Sequence, residues 1–117
     1  MGTSIRLLNF LKGFFGLTLL MMLSITIIAS INQNIFEAVG TMWPNWWFKA
    51  TLADAYFGFL TFFVWVAYKE LRLRRKLLWF ALIMLLGNLA IPAYMLIELY
   101  KLQVGDSFAT LLTRRNE

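Results

Sequence analysis

A chain of 117 residues that is 61% hydrophobic and only 15% charged is far more apolar than a soluble domain, where roughly 45 to 50% is usual. It contains neither cysteine nor histidine, which excludes disulfides, thiolate nucleophiles and iron–sulfur ligation and removes the commonest metal ligand and general base. The net charge of +5 is not a nucleic-acid signal: five of the eleven basic residues, Lys69, Arg72, Arg74, Arg75 and Lys76, lie together between two apolar runs, where they suit anionic lipid at a membrane face.

In chain order, residues 1–12 form a short basic leader with Arg6 and Lys12, and 13–31 is the first candidate transmembrane helix. Its apolar run exceeds the 7 to 15 residues of a signal peptide core, and Ile28-Ala29-Ser30-Ile31 is a poor cleavage site, so it is read as a retained span. Gly13 and Gly16 allow close approach of another helix. Ser24, Thr26 and Ser30 either bond across helices or return to their own helix carbonyls.

In the loop that follows, Ile35, Phe36, Val39, Met42 and Trp43 fall near one helical face, which predicts an interfacial helix. Pro44 breaks it, and the tryptophans of Trp43-Pro44-Asn45-Trp46-Trp47 read as an aromatic belt at the membrane surface, or alternatively as a lid or stacking platform. The second span is predicted over 50–68, with Asp54 its only charged residue. The third is predicted over 77–100, bent by Pro92. A tail over 101–117 carries a stop and N-cap at Gly105-Asp106 and a short helix over 107–115, with Phe108, Leu111 and Leu112 on one side.

These segments make one membrane domain, an all-α integral membrane protein with three transmembrane helices. Seven basic residues, Arg6, Lys12, Lys69, Arg72, Arg74, Arg75 and Lys76, fall on the side of the N-terminus against four (Lys49, Lys101, Arg114 and Arg115) opposite. That excess predicts the N-terminus inside and the C-terminus outside; the expected location is a bacterial plasma (inner) membrane.

An ionisable residue within a span is the default place to look for function. At ~1.5 Å per residue, Asp54 is ~6 Å and Asn88 ~18 Å from the outer face, with Glu98 close to that same face. Asp54, Gly58, Thr61, Trp65 and Tyr68 share one face of the second span; Asn88, Ile91, Met95 and Glu98 share a sector of the third. If the two faces meet, Asp54, Thr61, Asn88, Tyr94 and Glu98 line a polar pocket in which one carboxyl donates a proton while the others orient a ligand. The blander alternative makes Asp54 a first-turn residue favouring the helix dipole and Glu98 a snorkelling side chain beside Lys101. Glu70 is expected as a surface ion pair, and Arg72, Arg74, Arg75 and Lys76 as contacts to anionic lipid. No cofactor or metal is expected.

The stretch Asp54-Ala55-Tyr56-Phe57-Gly58-Phe59-Leu60, with Trp65, Lys69-Glu70, Trp79, Gly87-Asn88 and Pro92-Ala93-Tyr94, resembles a family of small bacterial and plant membrane proteins of unknown function. The resemblance implies three spans and no activity. In architecture alone the chain is also similar to integral-membrane terpenoid and carotenoid cyclases, which protonate a polyene with intramembrane carboxylates. The Pro-x-Glu signature of the carotenoid members is absent, since Ala93-Tyr94 follows Pro92.

Three functions follow. The first is a non-enzymatic subunit or scaffold that forms a homo-oligomer or joins a larger membrane complex. The second is a lipid-phase enzyme or binder of a hydrophobic small molecule centred on Asp54, Asn88 and Glu98. The third is proton or ion transport by an oligomer. Nucleic acid is not an expected partner.

Overall fold

A computed structural model describes residues 5–102, 106 and 108–113. Six α-helices follow in order: α1 (Ile5–Asn32), α2 (Ile35–Met42), α3 (Trp46–Lys69), α4 (Leu73–Leu86), α5 (Ala90–Lys101) and α6 (Phe108–Leu112), with a 3-10 turn at Gly87–Leu89 between α4 and α5. There is no strand among the described residues. Three helical stretches, Ile5–Asn32, Trp46–Lys69 and Leu73–Lys101, are long and apolar enough to cross a membrane.

The helices start where side chains satisfy the first free N–H groups. Asn34 Oδ1 accepts from Phe36 N at 2.7 Å to open α2, and Asn45 Oδ1 accepts from Trp47 N at 2.8 Å to open α3. Pro44 therefore separates α2 from α3 as expected, but Asn45 lets α3 begin four residues before the predicted start at Ala50. Asp54 consequently lies eight residues into α3, about 12 Å along it, and is not a first-turn residue.

The third apolar stretch is not a single rod. Trp79 of α4 and Tyr94 of α5 have ring centroids 4.8 Å apart, whereas a continuous helix would separate positions fifteen residues apart by about 22 Å. The chain reverses at Gly87, whose φ of +52° and ψ of −115° are closed to side-chain-bearing residues in all but strained cases. A Cβ at this position would also lie 2.5 Å from Phe59 Cζ. Pro92 does not bend a helix as predicted. It occupies the first turn of α5, where a missing N–H leaves no helical carbonyl unpaired, and its ring is buried.

The hairpin of α4 and α5 fills the space between α1 and α3. Tyr56 donates to Met84 O at 3.2 Å and Phe63 stacks edge-on against Phe80, so α4 runs antiparallel to α3. Phe62 and Trp65 meet Tyr94, and Lys69 meets Glu98, so α5 runs parallel to α3. Two apolar clusters result. Val66, Ile83, Ala90 and Tyr94 form the core within α3, α4 and α5, and Leu8, Leu99, Leu102 and Leu111 join α1, α5 and α6.

This packing corrects the predicted placement of the chain ends. The start of α1, the end of α3, both outer ends of the hairpin and α6 share one end of the molecule, which we call the base; the C-terminal segment does not emerge opposite the N-terminal one. The short tail helix is present as α6, while Gly105, Ser107, Arg114 and Arg115 lie outside the described residues.

Candidate functional site

The base holds a charged cluster built by the hairpin. Lys69 ends α3, and its side chain is carried inward because Val66, one turn earlier, is wholly buried on the same face. Lys69 Nζ lies 2.9 Å from Glu98 Oε1 and donates to the backbone carbonyl of Leu111. Lys101, one turn after Glu98 on α5, places its Nζ 2.9 Å from Glu98 Oε2. Lys69 and Glu98 are only 6% and 3% exposed, so this is a desolvated pair and not a surface one.

Glu70, expected at the surface, is buried as well, with Arg75 Nη1 at 4.0 Å. The Tyr94 hydroxyl lies near Glu70 but makes no hydrogen bond of ordinary geometry. Trp65 Nε1 donates to Leu112 O at 2.9 Å, so two side chains of α3 tie the last carbonyls of α6 to the base. Together the charged residues border a cavity of about 70 Å³.

The predicted pocket of Asp54, Thr61, Asn88, Tyr94 and Glu98 is not assembled within the chain. Glu98 is at the base with Lys69, and Asp54 is fifteen residues along α3 from Lys69, about 22 Å away. Asn88 sits on the exposed tip of the hairpin, and Tyr94 is buried in the aromatic core. Thr61 returns its hydroxyl to Phe57 O at 2.8 Å, as Ser24 does to Leu20 O. The reason is rotational: α3 packs on the hairpin with Phe59, Phe62, Phe63 and Val66, and this turns Asp54, Gly58 and Thr61 outward.

Of the basic turn, Arg72 and Arg75 border the cavity and Arg74 and Lys76 do not. The tryptophans of the first loop are exposed, and Lys49 Nζ sits 5.1 Å over Trp43 and 4.2 Å over Trp46. Lys101 was placed beside Glu98 by the alternative reading of the sequence and is found there, but Lys69 was not singled out as a partner of Glu98. The pairing becomes readable only once Gly87-Asn88 is taken as a chain reversal, with Pro92 as the start of a new helix.

Residues 5–117 match the family described as "Protein of unknown function (DUF1475)". The chain belongs to the DUF1475 family. No curated protein and no solved structure matches it.

Proposed function

We propose that this DUF1475 protein is a non-enzymatic membrane subunit or scaffold, embedded through α1 and α3 with the α4–α5 hairpin re-entering from the base. Its partner is a helix of another copy or of a larger membrane complex. The carrying observation is the outward stripe of α3. Asp54 is exposed with no bonding partner among the described residues, and Gly58, one turn on, has open space where a Cβ would stand. An ionisable group turned to lipid is costly, whereas a partner helix can satisfy it while the glycine admits close approach.

The uncovered upper half agrees. From Leu23 to Ile31 every residue of α1 is exposed, and α1 and α3 are held apart by the hairpin. The two carboxylates that a cyclase-like proton donor would need are at opposite levels, so the geometry favours assembly over catalysis.

The orientation belongs to this proposal too. Arg6, Lys12, Lys69, Arg72, Arg74, Arg75, Lys76 and Lys101 gather at the base, and among the described residues only Lys49 is basic at the other end. Such asymmetry supports a cytoplasmic base, and the membrane we propose is a bacterial inner one.

The test uses the cysteine-free chain. A single cysteine at Thr61, exposed on the same outward face and leaving Gly58 intact, should crosslink copies in native membranes, or trap a partner protein as a discrete adduct. Asp54→Leu should abolish the adduct and Asp54→Asn should keep most of it. A Thr61→Cys protein that remains monomeric and uncrosslinked removes this reading.

A further inference from the structure

The cavity at the base differs from the other uncovered surfaces of the molecule because it is bounded mainly by charge. Lys69, Arg72, Arg75 and Lys101 contribute four cations, and Glu70 and Glu98 two carboxylates. Both carboxylates are already engaged. Glu98 has an ammonium against each oxygen at 2.9 Å, and Glu70 faces Arg75 at 4.0 Å. The lining carries a net positive charge, and Arg72 has no ion pair within the described residues.

The cavity volume of about 70 Å³ leaves room for a tetrahedral oxyanion, since one water needs only about 10 to 15 Å³ on the same measure. Its floor is rigid, because Lys69 and Glu98 are buried and Lys69 is also fixed by the Leu111 carbonyl. Its rim is formed by Arg72 and Arg75, exposed side chains at the first turn of α4. A planar guanidinium is suited to bidentate contact with phosphate oxygens.

We infer that this cavity is a specific site for the phosphate of an anionic phospholipid, held by Arg72 and Arg75 over the Lys69–Glu98–Lys101 cluster. The occupant is a lipid and not a free anion for a positional reason. The rim lies at the junction of α3 and α4, flanked by the exposed apolar side chains of Leu71, Leu73 and Leu77, so a headgroup in the cavity leaves its acyl chains against apolar surface. The inference rests on the membrane embedding proposed above but not on the partner helix. It also divides the basic turn: Arg72 and Arg75 read a headgroup, whereas Arg74 and Lys76 contribute only general attraction.

The experiment compares two variants of equal charge loss, Arg72→Gln/Arg75→Gln and Arg74→Gln/Lys76→Gln. Each is reconstituted in phosphatidylcholine with a minority of phosphatidylglycerol, released, and read by native mass spectrometry for retained lipid and copy number. Wild type should retain phosphatidylglycerol. The cavity pair should weaken retention by about tenfold or more, as expected for losing two charge-assisted contacts, while the control pair stays within about threefold of wild type, as expected for diffuse attraction. Equal loss in both variants would overturn the site in favour of nonspecific polybasic attraction. Displacement of the lipid by an equal concentration of inorganic phosphate would overturn the lipid as occupant. Copy number is read in the same spectra, so failure of the assembly proposal registers separately. Circular dichroism of both variants confirms that helicity is kept.

Discussion

Gly87 and the Lys69–Glu98 pair carry the two sharpest single-residue consequences. At Gly87 a side chain meets two obstacles: a backbone conformation with φ of +52° and the Phe59 ring. Gly87→Ala is expected to destabilise the protein by at least about 2 kcal/mol, from backbone strain plus overpacking. Adding Phe59→Ala should recover nothing from the backbone share, so the double variant remains less stable than Phe59→Ala alone. Thermal unfolding in detergent measures both. At the base, Glu98→Gln strands the buried Lys69 ammonium and should cost about 3 to 5 kcal/mol, whereas Lys69→Met leaves Glu98 the Lys101 ammonium and should cost less. The double variant should cost clearly less than the sum of the two, the mark of direct coupling in a mutant cycle. Asp54 behaves differently: it is exposed within the chain, and Asp54→Asn should leave the unfolding midpoint of the isolated protomer unchanged.

At the scale of elements, the hairpin decides which ends of the chain meet. Single cysteines at Arg74, Thr113 and Phe36 provide the check, because the native chain has none to interfere. With α4 and α5 folded back, Arg74→Cys and Thr113→Cys should react with an impermeant thiol reagent from the same side of the membrane and Phe36→Cys from the other. A straight third span would group Thr113→Cys with Phe36→Cys. Much of this architecture was legible in the residues. The apolar runs, a separate helix α2 with Ile35 and Phe36 exposed, the break at Pro44 and the tail helix at Leu111 all follow from periodicity and capping. The reversal at Gly87 did not, because hydropathy is blind to direction: a largely apolar stretch of 29 residues fits one tilted span or two half-length helices equally well. The misplacement of Glu98 followed from that choice, since a straight third span carries it to the level of Asp54 and a folded one carries it to Lys69. Helix rotation was equally hidden. Asp54, Gly58 and Thr61 do share a face, but nothing local says whether that face meets the next helix or leaves the molecule.

For the whole molecule, the folded third segment unites features that looked unrelated in sequence. Lys101, which weakened the charge asymmetry when assigned to the far side, joins the basic end. The aromatic residues divide by level: Trp43, Trp46 and Trp47 ring the top, while Trp65, Trp79 and Tyr94 pack edge to face inside the lower half. Because the hairpin tip stands near Phe59, about 15 Å above Lys69, the lower half is a four-helix body with a core, and the upper half is two separated helices joined by α2. In a bilayer such an outline has unequal cross-sections. Near the base the protein displaces lipid over the area of four helices, and near the top over the area of two. Embedded as proposed above, each copy would make the leaflet around the base spread further than its counterpart and so act as a wedge, and an array of copies in one orientation would bend the sheet that holds it.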